Sequence, residues 1–138
     1  MTHHPWRFLR GLPHVTLEWV RMHGRVGETN GVDLIRIHPD QLQVERRVTL
    51  THETVHLERG HTTGCAPAVE SEVREEASRR LIELPALLDA LAWTEDWDEA
   101  ADELWVTVDV LRDRIDTLSE VERAALVRRA RELDEATH

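Results

Sequence analysis

The hydrophobic period of this chain changes once, at Pro39-Asp40, from two residues to about 3.6, and that switch restricts the fold more than any other feature. Before it, Val15, Leu17 and Trp19 alternate with Thr16 and Glu18, and Val32, Leu34, Ile35 and Ile37 form a largely β-branched run, so residues 14 to 37 predict strands. Asn30-Gly31 tolerates positive φ at both positions and predicts a hairpin from a short middle strand near Arg25 to Thr29 into the strand at 32 to 37. The expected sheet is small, three-stranded and mostly antiparallel. After the switch a helix is expected from about Gln43 to Arg59, stopped by Gly60. HTTGCAP, with Gly64 and Pro67, reads as a loop, and a second helix follows from about Ala68 to Glu83. Pro85 fits the first turn of a third helix carrying Leu84, Leu87, Leu88 and Leu91, and Thr94 would cap a fourth through Trp97, Ala101 and Leu104. Thr107 would cap the next, and Ser119 with Glu122 forms a capping box for a last helix to about Leu133. Strands first and helices after make an α+β fold. With 138 residues it is read as one domain, in which 14–93 hold the sheet and the first helices and 94–133 a helical C-terminal part.

His52-Glu53-Thr54-Val55-His56 matches HExxH, in which two histidines one helical turn apart face the same way and can hold one metal ion, with the intervening glutamate close enough to take a proton. At 100° per residue, Val44, Val48 and Val55 lie on one side of the histidine pair and Leu50 and Leu57 on the other. The helix is therefore apolar on two sides and expected to be buried. Histidines on such a helix are costly unless they are paired or coordinated. A third ligand must come from elsewhere. On the following helix Val69, Val73, Ala77 and Leu81 make the apolar stripe, Glu76 sits at its edge, and Glu72, one turn earlier, is the competing candidate.

RRVTLTHETVHLERGH, followed after a loop by EEASRRLI, resembles the ImmA/IrrE family of small zinc metallopeptidases in its short actinobacterial and phage form. The likeness covers about Val15 to Leu118. It implies a zincin-like HExxH helix beneath the sheet, with zinc held by His52, His56 and Glu76, the last being the glutamate before Ala77, and Glu53 as general base. Ser78 stands where many members have Asn or Asp, and Arg80 where thermolysin-like enzymes have an acidic partner. Three protein ligands leave one zinc position open for catalysis. The resemblance further implies a regulatory endopeptidase that cleaves a protein substrate such as a transcriptional or phage repressor; the alternative is a zinc-stabilised antirepressor acting by contact. An oxyanion donor would be His23, His38, Arg80 or backbone, because the chain has no tyrosine.

His61 stands five residues after His56, one short of the metzincin spacing, and reads as loop. Cys65 reads as a small loop or buried cysteine, with a fourth, inhibitory ligand as the rival role. His3, His4 and His138 are terminal. With 17 arginines, no lysine, 27 acidic residues and a net charge of -10, direct nucleic-acid binding and anionic membranes are disfavoured. ADELWVTVDVLRDRIDTL has helix-turn-helix spacing, yet 14 acidic residues oppose six arginines from Thr94 onwards. No apolar run approaches the roughly 18 residues of a membrane span, and the start lacks a signal-peptide core, so a cytoplasmic location is expected.

Overall fold

In the computed structural model, which describes residues 4–62 and 65–137, the change of period at Pro39 separates a sheet from a set of helices, as α+β requires. Gly64, His3 and His138 lie outside the described residues. Strands β1 (Thr16–Trp19), β2 (Gly27–Thr29) and β3 (Leu34–Ile37) form one sheet in the order β1-β3-β2. The hairpin expected at Asn30-Gly31 is present: Asn30 Oδ1 accepts from the backbone N–H of Val32, Asp33 and Leu34, and Gly31 has φ of 74°. β2 and β3 are antiparallel with Thr29 opposite Ile35. The expectation of a mostly antiparallel sheet is corrected, because β1 runs parallel to β3, with Thr16 opposite Leu34. The reason lies in β3. Ile35 and Ile37 are fully buried, so this strand takes the centre, and residues 20–26 carry the chain past it to the far edge.

Helix α1 (Pro5–Arg10) was not expected from the periodicity. It starts with proline in its first turn, and Trp6 and Leu9, one turn apart, pack on the sheet, where Trp6 stacks on Trp19 at 5.7 Å. Helix α2 (Gln43–Glu58) ends where Gly60 takes φ of 73°. From Thr49 to Leu57 every residue except His52 is buried, as the two apolar sides of the sequence predicted. Leu50 and Leu57 meet Ile35 and Ile37 under the sheet, while Val55 meets Val73 and Ala77 of α3 (Pro67–Leu81). Side chains of this size, fully buried, contribute roughly 1.5–3 kcal/mol each.

Four further helices follow: α4 (Leu84–Trp93), α5 (Trp97–Glu103), α6 (Val108–Asp116) and α7 (Glu120–Thr137). Thr107 caps α6 as expected, and Ser119 and Glu122 form both hydrogen bonds of the capping box. The cap of α5 is not Thr94 but Asp96, whose carboxylate accepts from the N–H of Glu99, while Thr94 Oγ1 accepts from the N–H of Asp96. A carboxylate at the N-cap also answers the positive end of the helix, which a threonine does less well. Leu81, Ile82, Leu87, Leu104 and Leu111 form the core of these helices, with Val48 of α2 packed against it. Two buried arginines tie the parts together. Arg47 of α2 donates to the carbonyl of Trp105 at 2.6 Å, and Trp105, in the turn between α5 and α6, has φ of 57°. Arg114 of α6 donates to the carbonyl of Ile82 at 2.8 Å and pairs with both carboxylate oxygens of Glu122 at 2.6 and 3.2 Å.

Hydrogen bonds from Arg114, reinforced by Ser119, hold the Glu122 carboxyl down at about 2. A carboxyl depressed below its unfolded value stabilises the fold above pH 4.5 or so and loses that contribution as pH falls towards 2. The difference corresponds to about 3 kcal/mol, and partial solvent screening at a side chain 21% exposed brings this to about 2 kcal/mol. Glu122→Gln is expected to cost that amount in urea unfolding at pH 7 and almost nothing at pH 2. An equal loss at both pH values would remove the ion pair from the account.

Candidate metal centre

α2 and α3 cross so that the exposed edge of the HExxH turn faces the first turn of α3. His52 is the one partly exposed residue in the stretch 49–57, and His56, one turn later, is 1% exposed. Pro67 fixes the start of α3, which places Glu70 in its first turn, where the positive helix end favours a carboxylate. The Nε2 atoms of His52 and His56 lie 3.2 Å apart, and Glu70 Oε2 lies 3.0 Å from the first and 3.2 Å from the second. Four ligands at 2.0–2.1 Å from zinc stand about 3.3 Å from one another at tetrahedral geometry, so these three atoms are spaced as three corners of such a site. Two ring nitrogens and a carboxylate oxygen converge on one point here, an arrangement that needs a proton or a metal cation among them.

The electrostatics fit the same reading. Burial, with the neighbouring His56, pushes the His52 imidazole below its ordinary value, and Glu70 only partly offsets this, so His52 favours the neutral form that binds metal. Burial alone would raise the Glu70 carboxyl, but its hydrogen bonds and electrostatic interactions with His56 and His52 outweigh it and hold the group below its usual range. His52, His56 and Glu70 are thus a group that could hold a metal ion.

Glu76, the expected third ligand, is elsewhere. It accepts from Arg80 Nε at 3.1 Å, and the same guanidinium reaches Glu58 of α2 at 2.5 Å. Six residues separate Glu70 from Glu76, which turns the two to different faces of α3. The competing candidate, Glu72, is exposed. The signal for Glu70 was in the sequence: by the same 100° arithmetic it falls between Ala77 and Leu81, in the middle of the buried stripe, where a carboxylate needs a partner. No protein-family model, curated protein or solved structure matches the chain.

Glu53 is 4% exposed and turns towards β2. A Cβ at Gly27 would lie 2.5 Å from Thr49 Cγ2 and 3.0 Å from Glu53 Cγ, so β2 crosses α2 this closely only because residue 27 is glycine. Of the oxyanion donors considered, Arg80 is engaged by Glu58 and Glu76, His38 Nδ1 accepts from the N–H of Asp40, and His23 is exposed. Among the described residues His56 Nδ1 is buried without a hydrogen-bond partner, whereas a metal-ligating histidine ordinarily donates from its second nitrogen. Among the described residues no helix is long and apolar enough to cross a membrane.

Proposed function

We propose that the chain is a zinc-dependent endopeptidase with a regulatory protein substrate, a transcriptional or phage repressor being the class implied by its resemblance to the ImmA/IrrE metallopeptidases. The observation that carries this reading is the convergence of His52 Nε2, His56 Nε2 and Glu70 within 3.0–3.2 Å, between the HExxH turn of α2 and the first turn of α3. Two imidazoles and one carboxylate are a donor set suited to zinc, and three protein ligands would leave a fourth coordination position for a non-protein one. Bound there, zinc would polarise a peptide carbonyl and acidify water near neutral pH. The residues of the chain do the rest. Glu70 fixes the orientation of both rings, burial keeps His52 neutral, and Glu53 accepts a proton and returns it to the leaving amine.

A second reading has its own support: a zinc-stabilised antirepressor that binds a repressor without cutting it. Glu53 is buried against Gly27, and among the described residues His56 Nδ1 has no acceptor, so the base is enclosed and the ligand ring unsupported. The test uses the repressor encoded nearest to this chain, incubated with chelator-treated protein and with the same protein reloaded with zinc. The endopeptidase yields a discrete repressor fragment with zinc only. Release of intact repressor from its operator establishes the second reading instead.

A further inference from the structure

The His56 ring has a second face that the triad with His52 and Glu70 does not use. We propose that His56, His61 and Cys65 form an alternative metal position for a borderline or soft divalent ion such as Zn²⁺ or Cd²⁺, competing with the first position for the same imidazole. The ligating atoms of these three residues lie within 4.8 Å of one another. His56 is 1% exposed, its Nε2 is engaged by Glu70 and His52, and its Nδ1 is buried with no partner among the described residues. His61 Nδ1 is in the same state, and the two rings meet edge to face with centroids 5.6 Å apart. Buried unpartnered nitrogens cost free energy, and two of them beside one thiol are the pattern a cation would satisfy.

Nitrogen and thiolate ligands of zinc stand about 3.6 Å apart at tetrahedral geometry, so the three groups need to close by about 1 Å. The motion is small. Cys65 lies in the loop before α3 and is held there by an Sγ–H contact to the carbonyl of Thr62 at 2.9 Å. On binding, the thiol releases its proton to solvent and the thiolate lone pair goes to the ion.

Competition follows from the chemistry of imidazole. The neutral ring has one lone pair. If Nδ1 binds the ion, Nε2 carries the hydrogen and donates it to Glu70, which already lies 3.1 Å away. If Nε2 binds the ion, Nδ1 carries the hydrogen and the thiolate position loses a ligand. The chain therefore holds its ion either beside Glu70 or beside Cys65, and an ion that prefers sulfur empties the first position.

Cd²⁺ titration of the reduced full chain, followed by the ultraviolet thiolate-to-cadmium charge-transfer band, tests this. His52→Ala disables the first position and is expected to show the full band with one equivalent of Cd²⁺. Cys65→Ser is expected to bind Cd²⁺ with no band. In the His52→Ala background, His61→Ala is expected to weaken the band-forming event at least about tenfold, roughly 1.4 kcal/mol. A His52→Ala protein with a titratable thiol and no band overturns the proposal, as does a band unchanged by His61→Ala. Both readouts are independent of proteolysis, so a chain that cleaves nothing can still pass.

Discussion

Glu70→Ala is expected to empty the metal position while Glu76→Ala leaves it filled. Measured by zinc titration in a Cys65→Ser background, which removes the competing thiolate, Glu70→Ala should weaken binding more than about a hundredfold, as His52→Ala and His56→Ala should. Removing partners that only orient a ligand typically costs 10–100-fold, and Glu70 is within 3.2 Å of both ring nitrogens as a direct ligand candidate. Glu76→Ala instead frees one bond of Arg80, which keeps Glu58. It should cost under about 1 kcal/mol of stability, the usual worth of a half-exposed pair, and no zinc. The opposite result, zinc lost with Glu76 and kept without Glu70, would mean that α3 sits rotated in the metal-bound chain, as the family resemblance implies.

Under the proposed endopeptidase reading, Glu53→Gln is expected to abolish visible repressor cleavage while keeping zinc and fold. Glutamine has the shape of glutamate and fills the same space against Gly27, but its amide cannot accept the proton that makes water a nucleophile. General acid-base help is worth about a hundredfold to ten-thousandfold, enough to remove a fragment from a gel. Co-expression of the repressor with wild-type or Glu53→Gln protein, following repressor length and reporter output together, separates the two functions. Under the endopeptidase reading, wild type gives the fragment and derepression and the mutant gives neither. Derepression by the mutant with full-length repressor would make α2 a metal-stapled binding surface.

The architecture was legible where one residue type does one physical job. Pro39, Gly60 and Pro67 punctuate the chain, the Ser119-Glu122 box is a local pattern, and the two apolar sides of α2 leave no surface for it except the interior. Sheet order was not local. A run such as Val15 to Trp19 states that it is a strand but not whether its neighbour comes from residue 27 or residue 35, and the burial of Ile35 and Ile37 decided that. The carboxylate that meets the two histidines was missed for a similar reason. Four glutamates lie on α3, at 70, 72, 75 and 76, and which one meets the histidines depends on where α2 crosses the helix. The apolar stripe of α3 already pointed to Glu70 as the acidic residue at a buried angle. Asp96 displaced Thr94 as a cap because both can cap and only the carboxylate also suits the helix charge.

The left-handed turn at Trp105 leaves its indole 60% exposed while its carbonyl faces inward to the buried Arg47. A bulky residue in this backbone region costs roughly 1–3 kcal/mol, and the arginine bond is what offsets it. The helices after Thr94 thereby become part of the electrostatic environment of α2. Were they to peel away, Arg47 would keep its charge and lose this acceptor, so the region around the histidines and the C-terminal helices should open in a single cooperative event. Slow amide exchange would then spread from Thr51 to Leu111 with one opening free energy, and the C-terminal helices would behave less as an appendage than as the floor on which the histidine helix is laid.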